Sequence, residues 1–147
     1  MKFIQNTSDI LSVLGIAGKH RSLIKDFCID SRKAKQHSVF IGLTGSNEDG
    51  SKYCDDAFSN GAVFAIIKAK KDMNANKLKD NTLGVSNPEK ALAKLAQVTL
   101  KNFTGPVIGI TGSNGKTTTK NILSAGIKNS FSTFKNFNNE IGLPLCA

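Results

Sequence analysis

The chain has 147 residues, 39% of them hydrophobic and 21% charged, and carries a formal net charge of +9. That length allows one ordinary domain, or one small domain and part of another, and no apolar run approaches a membrane span. The lysines are scattered, without a dense basic run or an aromatic-interleaved platform. Nucleic acid is therefore not an expected partner, and the charge reads as solvated surface with a bias toward anionic small molecules.

Taken in order, residues 10–17 form an apolar run that superficially suggests a signal peptide. Asp9 abuts it, only Lys2 precedes it as a lysine, and Lys19-His20-Arg21 stands where a cleavage site would be. The run is expected to be a helix capped around residues 7–9, in a cytoplasmic protein. Cys28, Cys54 and Cys146 are far apart and odd in number, with no Cys-x-x-Cys pair or Cys/His cluster. They read as structural thiols of a reducing compartment rather than a disulfide, zinc ligands or a nucleophile.

Residues 27–29 form a short predicted strand leading into Asp30-Ser31-Arg32, and residues 38–43 a stronger one. Residues 44–51, TGSNEDGS, are a loop by composition. Residues 52–60 read as a helix with Tyr53, Ala57 and Phe58 on one side, ended by Gly61, and residues 62–67 as a strand. Strand, short helix and strand make a right-handed parallel crossover. Residues 68–81, rich in lysine and asparagine, are expected to be a mobile connector, and 82–86 another strand. Asn87-Pro88-Glu89 starts a helix, with Asn as cap, Pro at the first position and an acid in the first turn. Ala91, Leu92, Leu95, Ala96, Thr99 and Phe103 recur at helical spacing and predict one buried face. Thr104-Gly105-Pro106 breaks that helix, and a domain boundary is expected there, with 1–104 in one unit and 105–147 in the next.

Residues 107–110 are apolar and mostly β-branched, a predicted strand, followed by Gly112-Ser113-Asn114-Gly115-Lys116-Thr117-Thr118 and a predicted helix over 117–128. Strand, glycine turn and helix N-terminus in that order make a cradle for phosphate. The first helical N–H groups are unpaired, the helix dipole adds positive charge, and glycines permit positive φ and close approach. Lys116 supplies a mobile charge for the β- and γ-phosphates, and the Thr117 hydroxyl is placed to hold Mg²⁺. A nucleotide site is expected, although the general P-loop pattern has glycine where Ile110 stands. Residues 131–134 read as a strand before Lys135-Asn136-Phe137-Asn138-Asn139-Glu140-Ile141-Gly142-Leu143-Pro144. The chain stops as a new helix should begin, so it looks truncated inside its second unit.

Thr111-Gly112-Ser113-Asn114-Gly115-Lys116-Thr117-Thr118 resembles the P-loop of the Mur ligases, which dispenses with the earlier glycine. Asn136-Phe137-Asn138-Asn139-Glu140-Ile141-Gly142-Leu143-Pro144 is similar to that family's block after the next strand. Asp30-Ser31-Arg32 resembles its uridine-contacting turn, and Phe40, Gly45, Asp49-Gly50, Ala57 and Gly61-Ala62 follow its pattern in order. Two positions depart: His37 where the family usually has a turn glycine, and Ser51 where histidine usually follows Asp-Gly. The resemblance implies a small N-terminal α/β substrate-binding domain followed by the start of a parallel-sheet P-loop ATPase domain. It implies ATP and Mg²⁺ as cofactors, with Gly112 to Thr118 around the phosphates, Lys116 catalytic and Thr117 on the metal. Ser31 and Arg32 are expected at the uridine end of the substrate, the alternative being a local turn with a surface ion pair. Asn138 and Asn139 are expected along the substrate channel, the alternative being a loop closed by side-chain-to-backbone bonds.

The double asparagine is most similar to the branch of the family that adds D-alanyl-D-alanine to UDP-N-acetylmuramoyl-tripeptide through an acyl phosphate. That reaction, carried out by a monomer, is the expected one. Its rivals are the preceding, diamino-acid-adding step of the same family, a non-catalytic module that binds a UDP-linked ligand, and an unrelated P-loop NTPase.

Overall fold

The computed structural model describes residues 4–45, 48–69, 77–133 and 141–146. Asn6 starts the first helix, α1 (Thr7–Leu14). Its side chain accepts from the Asp9 N–H, while the Asp9 carboxylate accepts from the Asn6 N–H at 3.2 Å, a reciprocal capping box. Gly15, at φ 75°, ends the helix in the left-handed conformation, so it stops at Leu14 rather than at Ala17.

A five-stranded sheet follows: β1 (Asp26–Cys28), β2 (Ser38–Gly42), β3 (Ala62–Lys68), β4 (Lys77–Lys79) and β5 (Thr82–Val85), in the order β1-β2-β3-β5-β4. All pairs are parallel except β4 with β5. A 3₁₀ turn (Gly50–Tyr53) and α2 (Cys54–Ser59) carry the chain from β2 to β3, and α3 (Pro88–Asn102) follows β5. Asn87 caps α3, its side chain accepting from the Lys90 N–H, with Pro88 at the first turn as expected.

Side chains alternate across the strands, which sorts the apolar residues onto two faces. Val39, Ile41, Phe64, Ile66, Leu83 and Val85 meet Ile10 and Leu11 of α1 and Leu92 and Leu95 of α3. Phe40, Ala65 and Ile67 meet Ala57 of α2 on the other face. β2 is buried at every position because helices cover both its faces, and this is why its sequence is continuously apolar rather than alternating. The arrangement is three-layered, α/β/α.

Four expectations are corrected. Residues 68–81 are not all connector, since Lys77–Lys79 is the edge strand β4, antiparallel to β5. Leu78 packs on the core while lysines flank it, a pattern that composition reads as loop but that also suits an edge strand, where lysine discourages further pairing. Residues 107–110 are not a strand: Val107 and Ile108 are 69% and 56% exposed, and no described residue pairs with them. Residues 131–133 are likewise irregular, and Phe134 lies outside the described residues. A β-branched run becomes a strand only where a neighbour takes its hydrogen bonds. The buried face of α3 is also shorter than its spacing suggests: Ala91, Leu92, Leu95 and Ala96 are buried, Thr99 is partly so, and Phe103 is 51% exposed.

Beyond α3 come α4 (Lys116–Gly126), with no buried residue, and the short α5 (Gly142–Cys146). Ile141 and Leu145 pack against the α1–α3 side of the core.

Candidate functional site

Parallel strands β1, β2, β3 and β5 all end at one edge of the sheet, and the chain after each is free to build a site there. The connection from β2 runs over the α2 face, whereas α3 leaves β5 over the opposite face. Crevices in open α/β sheets form at the carboxyl edge, where successive connections diverge in this way.

Asp30, just beyond β1, caps a 3₁₀ turn (Ser31–Lys33) by accepting from the Arg32 N–H. Arg32 folds back on it, with Nε and an Nη donating to the two carboxylate oxygens at 2.9 Å each. That hydrogen bonding and the guanidinium charge hold the Asp30 carboxyl below its ordinary range. Arg32 is otherwise exposed; Ser31 is buried, and its carbonyl accepts from Asn60 Nδ2 at 3.1 Å. The local ion pair named as an alternative is therefore formed, and it leaves the guanidinium at the surface beside the sheet edge. Cys28, at the end of β1, has its thiol pushed up to about 11 by burial and by Asp26 and Asp30. It is a poor nucleophile at neutral pH, in line with a structural thiol.

The loop after β2 is tightly built. Thr44 bridges Asp49, the Gly45 N–H donates to the Glu48 carbonyl, and the Gly50 N–H donates to the Leu43 carbonyl, both at 2.9 Å. Gly50 is dictated by space: a Cβ there would lie 2.4 Å from the Leu43 carbonyl oxygen. Asp49 Oδ1 accepts from the Ser51 N–H at 2.9 Å, starting the 3₁₀ turn, and the Glu48 carboxylate accepts from the Tyr53 hydroxyl and the Lys52 ammonium. Ser51 is buried with its hydroxyl unpartnered among the described residues, and it lines an open cleft of about 370 Å³ with Lys52, Cys54, Asp55, Ile67, Lys79, Asp80 and Thr82. His37, the other departure, takes φ 74° and so adopts the backbone a glycine would; its Nδ1 is buried and unpartnered among the described residues.

The P-loop has the expected turn and helix. Gly112 and Gly115 have φ 150° and 78°, and Gly115 caps α4 with no side chain in the way. The first N–H groups of α4 face solvent from a left-handed glycine cap, the geometry that cradles an anion. The Lys116 ammonium reaches back to the carbonyls of Gly112 and Ser113, which holds it over the mouth of the loop. Ser113, Asn114, Thr117 and Thr118 are all exposed. A nucleotide's phosphates fit this set of donors.

Sequence order thus becomes two separate places. Ser31 and Arg32 share the sheet's carboxyl edge with the 43–51 loop, while the P-loop lies beyond α3 on a segment that buries nothing. Asn138 and Asn139 lie outside the described residues. One residue of the edge was missed: Glu89 Oε1 accepts from the Thr44 N–H at 3.1 Å. In sequence it reads only as a first-turn acid, because nothing local signals a partner 45 residues away.

These features define a P-loop α/β protein whose connecting loops gather at the carboxyl edge of a mostly parallel sheet. Its sequence matches the family profiles described as the catalytic domain of the Mur ligase family, over residues 24–99, and the Mur ligase middle domain, over residues 110–147. The chain belongs to the Mur ligase family. It is 37% identical over 132 residues to the UDP-N-acetylmuramoyl-tripeptide--D-alanyl-D-alanine ligase of Bacillus subtilis, covering 85% of this chain and 28% of that protein. A MurF ligase from Thermotoga maritima, solved with ADP, superposes with a TM-score of 0.66 at 40% identity, over 82% of this chain and 28% of the other. The corresponding D-alanyl-D-alanyl ligase of Acinetobacter baumannii gives a TM-score of 0.77 at 27% identity, over 95% and 32%. The chain therefore spans under a third of the length of each of these relatives. No helix among the described residues is long and apolar enough to cross a membrane.

Proposed function

We propose that this chain is part of an ATP-dependent ligase of peptidoglycan precursor synthesis, joining D-alanyl-D-alanine to UDP-N-acetylmuramoyl-tripeptide in the cytoplasm. The observation that carries the reading is the glycine-capped head of α4 beneath the Lys116 ammonium, in a chain whose relatives over most of its length are named for that ligation. The domain boundary near residue 104 belongs to the same reading, with UDP-precursor binding before it and ATP binding after it.

ATP, when bound, supplies the phosphoryl group that activates the substrate carboxylate. Catalysis of phosphoryl transfer is mostly positioning and electrostatics, and those are what these residues offer. Backbone N–H groups of Gly112, Ser113, Asn114 and Gly115 hold phosphate oxygens, and Lys116 exchanges its loop carbonyls for the transferring phosphate. The Thr117 hydroxyl would hold Mg²⁺, and Thr118 would add a contact to the α-phosphate. Ser31 and Arg32 would meet the uridine end, and the resemblance assigns Asn138 and Asn139 to the substrate phosphate or peptide channel.

The test is phosphate release by the protein that carries this chain, given ATP, Mg²⁺ and UDP-N-acetylmuramoyl-tripeptide, with and without D-alanyl-D-alanine. Release that requires the dipeptide is expected. Release with a single diamino acid and the shorter precursor would assign the preceding step instead, and release indifferent to any muramoyl peptide would make this an unrelated NTPase.

A further inference from the structure

The bonds that shape the 44–51 loop lie mostly within the loop and the turn that follows it. The bond from the Thr44 N–H to Glu89 Oε1 differs, because it crosses from the connection on the α2 face to the head of α3 on the opposite face. Glu89 thus joins the connections after β2 and β5 at the carboxyl edge of the sheet. A carboxylate accepting from a backbone N–H is a charge-assisted bond, stronger than a neutral one. Asn87 and Pro88 lock the first turn of α3, so the carboxylate is presented from a rigid base.

Resting on the proposed function, we infer that Glu89 is a positioning residue for the UDP-linked substrate: by accepting from Thr44 it clamps the start of the loop after β2 to the head of α3, at the sheet edge that also carries Ser31 and Arg32. Among the described residues its side-chain hydrogen bond goes to Thr44 and not to the P-loop, so its effect is expected on binding of the UDP precursor and not on the chemical step. A plain helix-capping role is distinguishable. An acid in the first turn also favours the helix dipole, and Glu89→Asp keeps that charge while withdrawing the carboxylate from Thr44. Glu89→Gln does the reverse, keeping length and an acceptor oxygen without the charge.

The experiment compares Glu89→Ala, Glu89→Asp and Glu89→Gln in the protein that carries this chain, reading KM for UDP-N-acetylmuramoyl-tripeptide, KM for ATP, kcat, and hydrogen exchange of the Thr44 and Gly45 amides. Ala and Asp should raise KM for the precursor about five- to tenfold, with kcat and KM for ATP unchanged. Both should speed exchange in the loop, and Gln, which keeps a neutral acceptor at the same reach, should lie closer to the parent than either on every readout. Full rescue by Asp with none by Gln would make the helix dipole the operative effect and overturn the clamp. So would an Ala variant with unchanged loop exchange. A parent protein that does not use the UDP precursor would sink the ligase reading separately, and loop exchange would still decide whether Glu89 holds Thr44.

Discussion

Two stretches of this chain are written in nearly the same local language and end up differently. Ser38-Val39-Phe40-Ile41 and Val107-Ile108-Gly109-Ile110 are both short, apolar and rich in β-branched residues, and each precedes a glycine-bearing turn and a helix. The first is an interior strand of a sheet, with Val39 and Ile41 at 0% exposure between β1 and β3. The second is irregular, with Val107 69% exposed and no strand beside it among the described residues. The difference lies in the neighbours. A strand is a pairing, and its burial depends on helices that cover both faces. By contrast, the glycine turn and α4 form without such support, because a positive-φ glycine at a helix start is a local device.

This contrast can be broken most forcefully in the sheet. Phe64→Ala removes a ring at 0% exposure that meets the α1–α3 layer and should cost ~3–5 kcal/mol of stability by chemical denaturation. Ile122→Ala on α4, 66% exposed, should leave the denaturation midpoint of the 147-residue chain unchanged. Equal losses at both positions would mean that α4 is buried against something in solution.

The P-loop inverts the pattern of stability and function. Lys116→Ala should lower ATP-dependent turnover of the proposed ligase on the order of 100- to 1,000-fold, with no change in the unfolding midpoint, because the side chain is exposed and, among the described residues, bonds only to its own loop. Near-normal phosphate release by a folded variant would remove Lys116 from its assigned role.

A finer probe is Cys28, at the margin between core and crevice. Burial, with Asp26 and Asp30 nearby, pushes its thiol up from 9.0 to about 11, so it stays protonated through neutral and mildly alkaline pH. Its alkylation by iodoacetamide should rise about tenfold per pH unit up to that value. A plateau near pH 9 would show that the end of β1 is open to water and that the crevice is looser than described.

Much of the candidate site was legible because it is built from local chemistry. Gly112 and Gly115 announce a phosphate turn, Asp30 caps the turn that presents Ser31 and Arg32, and Asn87-Pro88 announces the head of α3. What escaped reading depends on partners far away in sequence. Glu89 looks like a helix-dipole acid until Thr44 is seen to donate to it. Lys77-Leu78-Lys79 looks like linker until Leu78 is seen to meet the core beside β5.

By itself, then, the sequence determined the elements whose causes lie within a few residues: the capped helices, the buried runs of β2 and β3, the glycine cradle under Lys116, and through them the family. Tertiary structure alone decided which apolar run became a strand, which edge lysines paired, and which carboxylate accepts from Thr44. Each of those outcomes is a hydrogen bond or a burial shared between segments far apart in the chain, and neither segment alone carries the information about it.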